Sequence, residues 1–86
     1  MKVVFTKHSD KKFIDFEKVG LIFFKEDVLV TVKNPDHIDE ESDAPKLIAS
    51  KRITEKLVLR VVFKIEGDIM TIITFYLAKR GRYYED

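Results

Sequence analysis

Two apolar runs of strand character, residues 57–65 and 69–77, flank the dipeptide Gly67-Asp68. Runs this long, rich in Val, Ile, Leu and Phe and separated by a turn signal, form a β-hairpin and commit the second half of the chain to a sheet. Arg60 lies inside the first run, between Leu59 and Val61. A guanidinium stays charged and is costly to bury alone. Arg60 is therefore either paired inside the fold or displayed on a functional face.

The register of the hairpin decides between these. A two-residue loop at Gly67-Asp68 sets Arg60 opposite Phe75, whereas a three-residue loop over 66–68 sets it opposite Thr74 and close to Tyr76. A slip of one residue exchanges the two faces of a strand. The three-residue loop is favoured because it gathers Leu59, Val61, Phe63, Ile69, Ile73 and Phe75 into one coherent core face. The other face then carries Val58, Arg60, Val62, Ile72, Thr74 and Tyr76. It is too apolar for a purely solvated surface and suits a groove or a docking site.

The first half reads differently. Residues 2–5 have strand character, and Thr6 or Ser9 can cap a following helix with Asp10 in its first turn. Phe13 and Phe16 fall on neighbouring helical positions, and Gly20 suits the position just past the helix end. A second helix is expected over 26–33, where Val28, Leu29 and Val32 form a stripe, ending before Pro35. The acidic stretch 36–45 is expected to be a mobile loop. The order β-α-α-β-β-β predicts a single α+β domain over 1–86: two N-terminal helices packed on one face of an antiparallel sheet of about four strands.

Composition narrows the function classes. Cysteine is absent, so a disulfide framework and a Cys-based zinc site are excluded. The two histidines, His8 and His37, are far apart in sequence and lack matched carboxylates, a poor metal signal; no metal and no cofactor is expected. His37 reads as an exposed loop residue. No apolar stretch approaches the ~20 residues of a membrane helix, and the N-terminus has no signal-peptide core, so a soluble, cytoplasmic protein is expected. Net charge is only +1, but its distribution is uneven. Residues 1–43 hold 7 Lys against 10 Asp and Glu, and residues 44–86 hold 9 Lys and Arg against 5 acids, with all four arginines in that second half. Arginine forks match phosphate oxygens well, so the basic half is where a phosphate would bind.

The segments Phe5-Thr-Lys-His8, Lys33-Asn-Pro-Asp36, Leu59-Arg-Val-Val62, Ile73-Thr-Phe-Tyr76 and Arg80-Gly-Arg-Tyr83 occur in an order that resembles the RelE/ParE toxin superfamily. Within it, the chain is most similar to the small bacterial and archaeal proteins near the BrnT toxins. The resemblance implies a RelE-like fold and a toxin of a toxin–antitoxin system, partnered by a cognate antitoxin. It also implies metal-independent endoribonuclease activity on mRNA, in many members on the ribosome; other members act on gyrase.

Such cleavage needs a proton acceptor, a proton donor and cations for the phosphorane. Arg60 is the candidate phosphate stabiliser, His8 the candidate acid or base, and Tyr76 the candidate proton donor or phosphate-orienting group. Arg80, Arg82, Tyr83 and Thr74 are candidates for RNA or phosphate binding. The competing reading makes Arg60 a structural ion pair with Glu55, Asp15 or Glu17, and the whole chain a non-catalytic RelE-like module. That module would bind a partner protein or nucleic acid through the sheet face and the basic C-terminus. The same sheet face is suited to homodimerisation.

Overall fold

The computed structural model describes residues 1–79. Its elements run β1 (Lys2–Phe5), α1 (Lys7–Lys18), α2 (Lys25–Lys33), β2 (His37–Asp39), β3 (Leu47–Arg52), β4 (Leu57–Glu66) and β5 (Ile69–Lys79). The class is α+β, with two helices and a five-stranded sheet in the order β1-β5-β4-β3-β2. Two expectations are corrected here. The sheet is mixed, because β1 runs parallel to β5, and its fifth strand, β2, lies within the stretch expected to be a loop.

Local chemistry sets the helix ends. The Thr6 hydroxyl accepts the Ser9 N–H at 3.1 Å, and the Ser9 hydroxyl donates to the Thr6 carbonyl at 2.8 Å, closing the first turn of α1. At the other end Gly20 adopts φ +85°, the left-handed region that glycine enters without steric cost. Gly20 N–H then bonds the Glu17 carbonyl and Leu21 N–H the Phe16 carbonyl, a Schellman motif that satisfies the terminal carbonyls. Helix α2 starts one residue earlier than expected. The Asp27 carboxylate reaches back to the Phe24 N–H at 2.7 Å, a cap that a sequence lacking Ser or Thr at this point does not advertise.

Both helices pack on one face of the sheet. Phe75, fully buried, is the hub: its ring lies 4.7 Å from Phe13, 5.7 Å from Phe16 and 6.2 Å from Phe23. Val28, Val32, Ala49, Leu59, Val61, Phe63 and Ile72 complete the buried core around it. Burying a Phe side chain contributes on the order of 2–3 kcal/mol, and the aromatic pairs add to that.

The hairpin keeps neither register considered from sequence along its whole length, and the favoured three-residue loop over 66–68 is corrected. Its loop is the two-residue Gly67-Asp68, with Glu66 paired to Ile69. Gly67 has φ +59° and Asp68 has negative φ, which fits a type II′ turn. Continued without interruption, that register would set Arg60 opposite Phe75. A β-bulge intervenes: Phe63 pairs with Ile72 and Val62 with Thr74, leaving Ile73 as the extra residue. Beyond it Arg60 faces Tyr76 rather than Thr74. The core face consequently takes Ile72 in place of Ile73, and Ile69, expected in the core, is 44% exposed.

Candidate functional site

The sheet face turned away from the helices carries the polar groups. Alternation along β3 and β4 puts Leu59 and Val61 into the helix-side core and Arg60 on the opposite side. Register then aligns four residues in one row across four strands: His37 on β2 opposite Ser50 on β3, Ser50 opposite Arg60 on β4, and Arg60 opposite Tyr76 on β5. The next row holds Asp39, Ile48, Val62 and Thr74.

Arg60 is 3% exposed. Its Nε donates to the Tyr76 hydroxyl at 3.0 Å, and the guanidinium carbon lies 5.7 Å from the centroid of the Tyr76 ring. Tyr76 itself is half-buried. The phenol oxygen thus accepts from a cation and keeps its own proton to donate. This arrangement alters the role assigned to Arg60 from sequence. A guanidinium so deep is held inside the fold against the Tyr76 phenol and is not displayed as a surface phosphate ligand.

Two hydroxyls beside this pair have no hydrogen-bond partner among the described residues: the fully buried Ser50 Oγ and the Thr74 Oγ1. A buried hydroxyl left unsatisfied costs about 1–3 kcal/mol, a cost that demands a reason. Asp39 adds a fixed negative charge. The Ser42 hydroxyl bonds its carboxylate, the Ser42 and Glu41 N–H groups donate to its Oδ1 at 2.9 Å each, and the Arg60 guanidinium assists. Together these hold its pKa down to about 2.

The other candidates fall elsewhere. His8 is exposed in the first turn of α1, in the helical layer, so the sheet lies between it and the Arg60 face. Asp15 and Glu17, two of the acids considered as partners of Arg60, belong to that same helix. Arg80, Arg82 and Tyr83 lie outside the described residues. Sequence reasoning read His37 as an exposed loop residue and did not single out Ser50; the structure puts His37 on the edge strand β2, opposite Ser50. The one signal for His37 was the polar-apolar-polar triplet His37-Ile38-Asp39, the alternation of an edge strand, too short to stand out.

On the helical side, an open cleft of about 300 Å³ is lined by Ile22, Phe23, Asp27, Val30, Lys51 and Ile53 among others. Its Asp27 carboxylate is committed to the Phe24 N–H and its Lys51 ammonium to the Asn34 carbonyl. Among the described residues no group of three or more His, Asp or Glu converges to hold a metal ion, and no helix is long and apolar enough to cross a membrane. No family model, no curated protein and no solved structure matches the chain.

Proposed function

We propose that this protein is a RelE-like toxin of a toxin–antitoxin pair, cleaving RNA without a metal ion, with Tyr76 as proton donor and Arg60 behind it. The observation that carries this reading is the 3.0 Å bond from the buried Arg60 Nε to the hydroxyl of the half-buried Tyr76. In the reaction the 2′-oxygen of RNA attacks the adjacent phosphorus while the 5′-oxygen leaves. A phenol that keeps its proton and rests against a cation is suited to protonate that leaving oxygen and to steady the charge that develops there. Cytoplasmic mRNA, free or on the ribosome, is the substrate this reading names, and a cognate antitoxin is the partner.

The test is induced expression of the chain, with growth and RNA integrity followed together. Wild type is expected to arrest growth and to leave fragments ending in a 2′,3′-cyclic phosphate. Tyr76→Phe should slow cleavage about 100-fold or more, the range in which positioned acids and bases act. Intact RNA beside abundant, folded wild type would sink the ribonuclease reading.

A second reading is a non-catalytic RelE-like module that holds a partner on the same face. It is favoured by the position of His8, across the sheet from Arg60, which removes the acid–base group the sequence offered first. Complex formation with a neighbouring gene's product, without RNA cleavage or growth arrest, is the outcome it requires.

A further inference from the structure

We infer that the helical side of this protein is a self-association surface, on which Phe24 of one copy seats in the cleft of a second copy and the second copy's Phe24 seats in the cleft of the first. This surface lies across the sheet from Arg60 and Tyr76 and is independent of any chemistry there.

Two neighbouring phenylalanines part ways at the start of α2. Phe23 turns inward, its ring 5.2 Å from Phe16 and 6.2 Å from Phe75. Phe24 is 67% exposed. Its backbone is nonetheless fixed: its N–H donates to the Asp27 carboxylate at 2.7 Å, and its carbonyl accepts from the Asp27 N–H at 3.0 Å. An aromatic side chain displayed on an anchored backbone loses little freedom on binding. Ile22, Val30 and Ile53, which line the cleft, are exposed as well. An apolar patch gathered in this way marks a contact surface.

The cleft, about 300 Å³, has apolar walls from Ile22, Phe23, Val30, Ile53 and Leu59, and it has room for a phenyl ring. The Phe24 ring is not among the groups that line it. Two of its walls, Ile22 and Phe23, immediately precede Phe24 in the chain, and Asp27, three residues on, is another. Knob and hollow therefore adjoin on one face. One two-fold axis brings both knobs into both hollows, and the assembly closes at two copies. On opposite faces the same two features would build an open chain.

Charge follows the same pattern. Arg52 lies at the cleft, and Glu26 follows Phe24 by two residues. Both are exposed, and neither forms an ion pair among the described residues. Seating Phe24 in the second copy brings Glu26 towards that copy's Arg52, and the two-fold axis repeats the pair. An anionic lipid surface fits less well, because the Glu26 and Asp27 carboxylates flank the ring that would insert. A patch built round four apolar side chains is small beside the ~800 Å² per partner of a standard interface, so the dimer should be reversible and dependent on concentration.

The experiment is sedimentation equilibrium of the full-length protein from about 1 µM to about 1 mM, a span that covers weak association. Wild type should pass from monomer to dimer within it. Phe24→Ala should raise the dissociation constant about 30-fold or more, the scale of an aromatic hot spot. Its circular dichroism should be unchanged, since the ring is exposed and the cap uses only backbone groups of Phe24. Arg52→Glu should weaken the dimer, and adding Glu26→Arg to it should restore association. A wild type that stays monomeric throughout overturns the inference. So does a dimer that Phe24→Ala leaves intact, which would place the contact on another face. Monomeric wild type that binds phosphatidylglycerol–phosphatidylcholine vesicles through Phe24 overturns it in favour of a lipid surface. A charge swap that restores nothing overturns it even if Phe24→Ala misfolds.

Discussion

Ser50 and Thr74 keep hydroxyls where the surrounding strands offer them nothing. In a stability-driven sequence such positions would be Ala and Val, because replacing an unsatisfied buried hydroxyl by an apolar group of similar shape removes its desolvation penalty. Ser50→Ala and Thr74→Val are therefore expected to stabilise the fold, each by about 1 kcal/mol, or roughly 4–8 °C in Tm for a domain of this size. Thermal melts of each variant check the sign. Sites of this kind are hard to read from sequence. Ser50 sits in the strand Leu47–Arg52 and Thr74 has high strand propensity, so each looks ordinary until register shows which neighbours share its face.

At the level of elements, the features legible in sequence were those with a local chemical marker. Thr6 and Gly20 mark the ends of α1, Pro35 follows the end of α2, and Gly67 marks the hairpin turn. The bulge at Ile73 has no marker, since it falls in the run Ile72-Ile73-Thr74 without Gly or Pro. Its cause is tertiary. The Thr6 hydroxyl donates to the Ile73 carbonyl at 2.9 Å, and the Thr6 N–H donates to the Ile72 carbonyl at 3.1 Å. One side chain thus caps α1 and anchors the irregular step of β5. Thr6→Ala should cost about 1–2 kcal/mol, the upper part of the range for a lost cap, because a second bond goes with it. Urea unfolding measures the loss. Amide exchange should accelerate at Thr74 as well as at Ser9; protection lost at Ser9 alone would separate the cap from the bulge. The strand His37–Asp39 was missed for a different reason: three residues at a sheet edge give too little pattern to distinguish from an acidic loop.

For the molecule as a whole, acid stability should depend on Asp39. Its carboxyl titrates near 2 in the fold against an ordinary value of 3.8. A depressed carboxylate contributes stability that is present above its unfolded pKa and is lost as pH falls through the folded one. The Asp39 contribution should therefore be intact above about pH 4 and gone near pH 2. Asp39→Asn should melt at a lower temperature than wild type at pH 7, and the two curves should converge by pH 2. A gap that stays constant over that range would show that Asp39 acts through packing instead.

The parallel pairing of β1 with β5 also sets when the protein can exist. Among the described residues β1 makes its sheet contacts with β5 alone, and β5 lies between β1 and β4. Phe75, around which the helices pack, is on that same strand. During synthesis the N-terminal segments therefore wait without their main partner until β5 emerges, and contacts of such long sequence separation close late. Arg60, Ser50 and His37 are translated before Tyr76, but the row they form is assembled only with it.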